Sequence, residues 1–226
     1  MTTAWITGTT GAWGGAFARA ALVSGFDVVA LGRRDAPELA GLAADLGRGW
    51  AFAPLDLAAP NAAADALGDL PPNLATPPDL LVHAAFSTAG DRAALVAADF
   101  LGPAGLVDEV ARRMAARGHG RIGVLLGQNG RLGLGGLEDV SAPQGALWTW
   151  CEARREVLAR EAPGVTLTIV IPPRTASATQ RFLAERSGRT ARLSEPDAAP
   201  LLRGILAGRR RAGRRPVLAG LATAFR

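Results

Sequence analysis

The sequence predicts an α/β protein: a doubly wound, Rossmann-type parallel sheet of about seven strands with helices on both faces. Three observations lead to this fold class. Short apolar, β-branched segments alternate with Ala-, Leu- and Arg-rich helical segments along the chain. The strand candidates are apolar throughout rather than alternately, which is typical of strands buried on both faces of a parallel sheet. The βα order repeats without a visible linker, so we expect right-handed crossovers in a single domain over residues 1–226.

The elements follow from the same pattern, taken in chain order. The predicted strands are the apolar segments 4–8, 27–32, 50–55, 80–85, 121–127, 165–171 and 216–221. The predicted helices lie near 14–24, 36–46, 60–68, 91–117, 141–161 and 197–208. Gly102-Pro103 predicts a kink in the fourth helix. The irregular segment 172–196 follows a strand's carboxyl end, where open α/β sheets bind ligands, and it is interpreted as a lid.

A glycine-rich loop follows the first strand. The segment TGTTGAWGG places Gly8, Gly11 and Gly14 three residues apart, immediately before a helix. Glycines allow a tight turn and let backbone N–H groups approach a pyrophosphate at the helix N-terminus. A turn that is merely tight would not need three glycines at this spacing. The loop therefore predicts a dinucleotide site, which also includes its residues Thr10 and Trp13.

The end of the second strand indicates which dinucleotide is bound. An NAD site usually has an Asp or Glu about 20 residues past the loop, where it contacts the ribose hydroxyls. Here the strand ends in Arg33 and Arg34, whose guanidinium groups suit a 2′-phosphate. We therefore expect NADP(H). Asp35 leaves open a contact with the ribose instead, and a solvated turn is the alternative for the two arginines.

The charge pattern argues against a nucleic-acid-binding protein. The net charge is +5 and all 25 basic side chains are arginine, since the chain has no lysine. The dense basic cluster at 208–216 contains no aromatic residue, whereas nucleic-acid surfaces combine basic residues with stacking aromatics. We interpret this cluster as a solvated helix end and turn. The expected partner is a small-molecule substrate.

Cysteine usage and hydropathy indicate a cytoplasmic protein without a metal site. The single cysteine, Cys151, excludes an internal disulfide and fits a reducing compartment; it has no evident base nearby and is interpreted as inert. No signal peptide is visible at the start, and no apolar segment approaches the ~20 residues that span a bilayer. Two histidines and one cysteine, far apart in sequence, make a zinc site of the usual ligands improbable.

With the chain length and strand count, these motifs make the protein resemble the short-chain dehydrogenase/reductase family over nearly its whole length. The segment TGTTGAWG follows the family's TGxxGxxG form, and LDL at 55–57 resembles its adenine-contacting pair. LLVHAAF stands where the family has its NNAG-type motif, and IVIPPRT resembles the motif beside the nicotinamide. The resemblance implies a homodimer or homotetramer and adds these cofactor contacts: Asp56, Leu57, His83, Ala84, Ala85, Pro172, Pro173 and Thr175.

The catalytic positions depart from the family pattern. Family members use Asn, Ser, Tyr and Lys, with the last two spaced as YxxxK. By register, Val140 stands for Tyr and Gln144 for Lys, while Gly127 lies near the Ser position. The chain contains no tyrosine and no lysine, so no shift of register restores the pair. Loss of a general acid typically lowers a rate by about 10²–10⁴-fold.

Two ionisable residues are candidates to replace the missing acid. Asp99 corresponds best to the helix-four Asn, and burial can raise the pKa of a carboxyl toward neutrality. A structural, hydrogen-bonded carboxylate is the alternative for Asp99. His83 is a candidate acid or base, or a support for the cofactor loop through hydrogen bonds.

The remaining candidates are neutral. Gln128 and Asn129 follow strand five and are candidates to orient a substrate oxygen. Ser141 is interpreted as the N-cap of the following helix, with Pro143 in the first turn, although it neighbours the position of the lost Tyr. Gln144 is a candidate to keep the ribose hydrogen bonds that Lys would have made.

Three functions remain open from the sequence. The first is an NADPH-dependent reductase of an activated small molecule such as a quinone, enone or iminium ion, because these substrates need no strong enzymic acid. An unusual catalytic set in a common fold suggests biosynthesis in specialised metabolism. The second is a redox-neutral cyclase, dehydratase or isomerase that uses Asp99 or His83. The third is a non-catalytic NADP(H)-binding sensor.

Overall fold

A parallel sheet of seven strands forms the centre of the molecule. The computed structural model of the chain describes residues 2–68, 76–173, 175, 178–187 and 195–213. The strands are β1 (Thr3–Thr7), β2 (Asp27–Gly32), β3 (Trp50–Pro54), β4 (Leu80–His83), β5 (Gly120–Leu125), β6 (Val165–Ile171) and β7 (Arg211–Gly213). They lie in the order β3-β2-β1-β4-β5-β6-β7, and every pairing is parallel. The predicted fold class is confirmed.

Helices connect the strands along the chain. They are α1 (Ala12–Val23), α2 (Pro37–Asp45), α3 (Ala62–Gly68), α4 (Arg92–Val96), α5 (Gly102–Arg117), α6 (Asn129–Leu132), α7 (Glu138–Glu161), α8 (Ala178–Ser187) and α9 (Ala199–Leu206). A π-helical turn, Ala97–Leu101, joins α4 to α5. No helix in the described ranges is both long enough and apolar enough to cross a membrane.

Apolar side chains on the two faces of the sheet form two separate cores. Trp5, in the middle of β1, packs on the face covered by α3, α5 and α7. Its neighbours Ala4 and Ile6 point to the opposite face, which is covered by α1, α2 and α9. Successive strand side chains alternate between faces, and here both faces are buried. This burial explains why the strands read as continuous apolar segments in the sequence.

The strand order places a ligand-binding position between β1 and β4. The chain moves from β1 to β2 and β3 on one side, then returns to build β4 to β7 on the other. Crossover connections leave in opposite directions at this point, so a crevice opens beyond the carboxyl ends of β1 and β4. The loops after these strands form the site described below.

The fourth predicted helix, 91–117, is not one regular helix. It divides into α4, the π-helical turn Ala97–Leu101 and α5, so the irregularity lies before the predicted kink at Gly102-Pro103. Gly102 has a different role: a Cβ there would lie 2.0 Å from the Leu57 carbonyl oxygen. The glycine lets the start of α5 approach the loop after β3. π-helical turns occur frequently at functional sites.

The interpretation of Ser141 as an N-cap is wrong. Helix α7 begins at Glu138, three residues earlier than Ser141, and Leu137 is its N-cap residue. Ser141 therefore lies inside the helix, where its side chain is buried. Pro143 also lies inside α7 rather than in its first turn.

Three outcomes concern the predictions for residues 172–221. The predicted strand 216–221 lies outside the described residues, and the observed seventh strand is Arg211–Gly213. This strand pairs with Ile169–Ile171, so part of the basic cluster 208–216 is a sheet edge and not a helix end. Within the segment 172–196, residues 178–187 form helix α8, which the sequence pattern did not predict.

Candidate functional site

A crevice of about 540 Å³ lies beyond the carboxyl ends of the strands, at the switch point between β1 and β4. Its volume is in the range of small-molecule and cofactor sites. Residues following β2 and β3 line one side, which we call the β2–β3 side. Residues following β4, β5 and β6 line the other, which we call the β4–β6 side. The glycine loop after β1 lies between them.

The glycine loop has the geometry of a phosphate cradle. Gly8 adopts a positive φ of 72°, and a Cβ there would lie 2.8 Å from Ala85 Cα. A Cβ on Gly14 would lie 2.0 Å from the Gly8 carbonyl oxygen. Helix α1 starts after Gly11 with no side-chain cap and no acidic residue in its first turn. Its first backbone N–H groups, which have no partner within the helix, are therefore suited to an anion.

Both arginines predicted to hold a 2′-phosphate line the β2–β3 side. Arg33 and Arg34 are exposed residues in the turn after β2. Asp35 is absent from the crevice lining, and its Oδ1 accepts hydrogen bonds from the Ala36 N–H at 2.7 Å and from the Trp50 indole N–H at 3.1 Å. The carboxylate that was the alternative ribose contact is engaged elsewhere, and the two arginines are the charged side chains next to it that line this side.

Other predicted cofactor contacts also line the crevice. On the β2–β3 side, Asp56 Oδ1 accepts a hydrogen bond from the Ala58 N–H at 3.1 Å, which fixes the loop carrying Asp56 and Leu57. The remaining predicted residues in the lining are Gly8, Thr10, Gly11 and Trp13 of the loop, Ala84 and Ala85 after β4, and Pro172 after β6.

His83 supports the crevice wall rather than lining it. The residue is 1% exposed, and its Nδ1 lies 3.0 Å from Thr7 Oγ1. Thr7 Oγ1 also accepts hydrogen bonds from the N–H groups of Ala84 and Ala85, at 3.0 and 3.1 Å. Burial lowers the pKa of His83 to about 4, so the imidazole is neutral near pH 7. The structure favours the supporting role of His83 over the acid/base role.

Asp99 is buried in the π-helical turn and lines the β4–β6 side. It is 1% exposed, and its Oδ1 accepts a hydrogen bond from the Ser87 N–H at 2.9 Å. Oδ2 is buried, and no residue in the described ranges pairs with it. Burial raises the pKa of Asp99 to about 7, while the Ser87 hydrogen bond opposes the shift. The carboxyl therefore exchanges protons near neutral pH.

Two amide side chains lie on the same side of the crevice. Gln144, on α7, is 2% exposed, and its Oε1 accepts a hydrogen bond from the Gly127 N–H at 3.2 Å. Asn129, at the start of α6, is 8% exposed; its Nδ2 is buried and has no partner in the part of the chain that the structure describes. A Cβ on Gly127 would lie 2.0 Å from Asn129 Oδ1, so this glycine lets the amide fit closely against the loop.

Several predicted site residues lie outside the crevice. Gly14, Gln128, Ser141, Pro173 and Thr175 are absent from its lining. The Ser141 and Thr175 hydroxyls are buried and have no partner among the described residues. Cys151 is fully buried, and burial raises the pKa of its thiol to about 12, which fits its interpretation as inert.

The sequence pattern missed several residues on the β4–β6 side. Phe86, Ser87, Ala94, Ala98 and Leu125 line the crevice with Asp99. Ser87 anchors the Asp99 carboxyl through its backbone N–H, a contact that no residue type signals in a sequence. The position of Phe86 after a buried strand was the one available signal.

The fold and fingerprint agree with comparisons to solved structures. No protein-family model and no curated protein matches the chain by sequence. A structure described as a short chain dehydrogenase/reductase family protein is 29% identical, with a TM-score of 0.71 over 90% of this chain and 88% of that one.

Two further structures resemble the chain at lower identity. A 3-oxoacyl (acyl-carrier-protein) reductase from Agrobacterium tumefaciens with NADP bound is 16% identical, with a TM-score of 0.77 over 92% and 88% of the two chains. YwfH, an NADPH-dependent reductase involved in bacilysin biosynthesis, is 15% identical, with a TM-score of 0.74 over 91% of each chain. The strand order, the glycine fingerprint and the 29% identical structure all agree, so the chain is similar in fold and fingerprint to the short-chain dehydrogenase/reductase family.

Proposed function

We propose that this chain is an NADPH-dependent reductase of an activated small molecule, in which the Asp99 carboxyl replaces the tyrosine hydroxyl as proton donor. The proposal rests on one observation: the same crevice is lined by two chemically different sets of residues. Two arginines line the β2–β3 side beside the glycine loop, and a buried carboxyl whose pKa is about 7 lines the β4–β6 side.

The residues of the β2–β3 side fit NADP(H). A Cβ on Gly8 would lie 2.8 Å from Ala85 Cα, so only glycine lets the cradle pack this closely against the loop after β4. Arg33 and Arg34 supply charge and planar donors for a 2′-phosphate, and no acidic residue in the first turn of α1 opposes an anion. The NADP-bound and NADPH-dependent reductases that share this fold support the same assignment.

The residues of the β4–β6 side fit the proton transfer. When bound, NADPH supplies a hydride. Asp99 then provides the proton from a carboxyl that is partly protonated at pH 7, because burial disfavours its charged form. Gln144 lies on the helix that would carry YxxxK and contacts the Gly127 backbone, so it orders the loop after β5 beside the reacting groups.

Helix α8 supports the interpretation of 172–196 as a lid. Its Phe182 packs against a small apolar cluster of Leu95, Leu137 and Val140. Phe86, which lines the crevice, packs against the same cluster. This shared contact supports the proposal that the segment 172–196 encloses a small substrate on the β4–β6 side.

Nucleotide binding and turnover test the proposal in sequence. NADPH titration, followed by nicotinamide fluorescence, should show binding that is tighter than NADH binding. Replacing both arginines (Arg33→Ala with Arg34→Ala) should weaken NADPH binding by about 10–100-fold, because charge-assisted hydrogen bonds contribute about 1.5–3 kcal/mol. NADH binding should change little. Arg19→Ala, which removes an exposed arginine of α1 outside the crevice lining, is the matched control.

NADPH consumption is then measured against a panel of quinones, enones and imines. Turnover of a panel member that is lost in Asp99→Asn supports the reductase. Absence of nucleotide binding at millimolar NADPH would contradict it. Tight binding with no turnover across the panel would favour the non-catalytic sensor.

A further inference from the structure

Two buried polar atoms without a partner belong to side chains on the same side of the crevice. They are Asp99 Oδ2 and Asn129 Nδ2, and neither is paired within the described ranges. Both side chains line the β4–β6 side, and both are at least nine-tenths buried. A buried polar atom left unpaired typically costs about 1–3 kcal/mol, so a bound molecule that pairs both atoms recovers this cost.

The chemistry of the two atoms defines the group they would bind. Asn129 Nδ2 is a donor only. Asp99 Oδ1 already accepts a hydrogen bond from the Ser87 N–H, so the proton of the neutral carboxyl resides on Oδ2. Both unpaired atoms are then donors. Two donors require an acceptor with two lone pairs, and a carbonyl oxygen has this property.

The surroundings of this pair limit the charge of the ligand. Phe86, Ala94, Ala98, Leu125 and Pro172 provide an apolar lining on the β4–β6 side. Among the described lining residues on this side, Asp99 is the one ionisable side chain. An anionic ligand would meet no counterion there and would be repelled by the fraction of Asp99 that is ionised, so an uncharged ligand fits better.

We propose that the crevice takes uncharged, conjugated carbonyl compounds, with the carbonyl oxygen held between Asn129 Nδ2 and Asp99 Oδ2. This inference rests on the proposed reductase function and selects enone and quinone substrates over iminium ions. An iminium ion has no lone pair on its nitrogen and could not accept either hydrogen bond.

The two donors also match the course of the reaction. Hydride addition to the β-carbon brings two electrons, and the former C=C pair moves to form an enolate with negative charge on the oxygen. Asn129 stabilises this charge by a hydrogen bond, while Asp99 transfers its Oδ2 proton to the oxygen and becomes a carboxylate. Water reprotonates Asp99, and the released enol converts to the saturated ketone. NADPH, the enone and one proton thus give NADP⁺ and the ketone.

Three ligands with one phenylpropenyl skeleton test the assignment by equilibrium binding. Benzylideneacetone carries the conjugated carbonyl, 1-phenyl-1-butene lacks the oxygen, and cinnamate carries a carboxylate in its place. Binding is measured by ligand-observed NMR, with and without saturating NADP⁺. We expect the ketone to bind at least about tenfold more tightly than the hydrocarbon, although the hydrocarbon is the more apolar molecule. Equal or tighter binding of the hydrocarbon, or tighter binding of cinnamate, would overturn the proposal.

Variants distinguish the contribution of Asn129 to ketone binding from that of Asp99 to proton transfer. Asn129→Leu and the shape-preserving Asn129→Asp should both abolish the preference for ketone over hydrocarbon. Asp99→Asn keeps an N–H donor but loses the proton, so it should retain most ketone binding and lower kcat far more than it raises KM. The exposed Asp65→Asn is the control for the amide change, and melting temperatures confirm that each variant folds.

NADPH titrations of the same samples distinguish failure of the carbonyl assignment from failure of the reductase proposal. NADPH binding without a ketone preference in the wild-type chain overturns the carbonyl assignment and leaves the reductase proposal standing. A ketone preference without NADPH binding supports the carbonyl assignment and contradicts the reductase. A ketone preference that persists in Asn129→Leu excludes Asn129 as the donor and overturns the assignment.

Discussion

Thr7 Oγ1 lies 3.0 Å from His83 Nδ1 and joins the ends of the two strands that border the switch point. Because the same oxygen accepts hydrogen bonds from the N–H groups of Ala84 and Ala85, its own proton is directed to His83 Nδ1. His83 is thereby held as the neutral tautomer with its proton on Nε2. Thr7 and His83 position the loop after β4 against Gly8, where the cofactor cradle begins.

We predict that Thr7→Val destabilises the protein by about 2 kcal/mol, because two part-buried backbone donors and one buried imidazole nitrogen lose their partner. Thr7→Ser keeps the hydroxyl and should cost much less. Urea denaturation, with the free energy of unfolding extrapolated to water, compares the two variants. Equal stability of Thr7→Val and Thr7→Ser would show that this hydroxyl does not hold the strand ends together.

The two perturbed buried groups give opposite pH dependences of stability. The pKa of His83 falls from 6.5 to about 4 in the folded state, so its contribution is complete above pH 6.5 and is lost as pH falls toward 4. The pKa of Asp99 rises from 3.8 to about 7, so its contribution is complete below pH 3.8 and is lost as pH rises toward 7. Between pH 4.5 and 6.5 the two effects oppose each other, each at up to about 1.4 kcal/mol per pH unit.

When one of the two groups is removed, the pH dependence of stability should therefore show the effect of the other group alone. We expect the stability of His83→Leu to decrease as pH rises from 4.5 to 6.5, and the stability of Asp99→Asn to increase over the same range. Urea denaturation at several pH values measures both slopes, with Asp65→Asn as the control. Parallel slopes in the two variants would contradict the assigned protonation states.

The substitution Gly14→Ala tests whether the glycine loop binds NADPH, without changing any charge. A Cβ at this position would lie 2.0 Å from the Gly8 carbonyl oxygen, so Gly14→Ala must displace the loop. We expect a loss of about 1–3 kcal/mol in stability and at least a tenfold weaker binding of NADPH. Gly41→Ala on α2 is the matched control, because its Cβ would meet nothing within 4 Å and alanine favours a helix. Unchanged NADPH binding in Gly14→Ala would place the nucleotide elsewhere.

Much of the fold could be predicted because its determinants are local. The continuous apolar segments marked β2 and β6 at their observed bounds, 27–32 and 165–171, since burial on both faces leaves no polar positions. The glycine spacing predicted the cradle, because φ of 72° at Gly8 and the close approach at Gly14 exclude other residues. The arginines after β2 were found for the same reason: their position follows directly from the strand.

The rest depended on contacts between distant segments. The π-helical turn at Ala97–Leu101 buries Asp99, yet its sequence reads as ordinary helix. Ser141 has the residue type of an N-cap, but α7 extends back to Glu138, and packing of Val140 against Leu95 and Leu137 accompanies that early start. His83 is a supporting residue because Thr7, 76 positions away, contacts its ring.

The expected formation of a dimer or tetramer remains a prediction.

The pH dependence of hydride transfer tests the central claim, that protonated Asp99 replaces the missing tyrosine. Single-turnover reduction of benzylideneacetone, or of the panel's best substrate, is followed through NADPH absorbance from pH 5.5 to 8.5. We predict a rate that falls above pH 7 in the wild-type chain, because the pKa of Asp99 is about 7 and its ionised form has no proton to donate. Asp99→Asn should be about 10²–10⁴-fold slower and should lose this pH dependence. A wild-type rate in Asp99→Asn, or the same fall above pH 7 in both proteins, would contradict the claim.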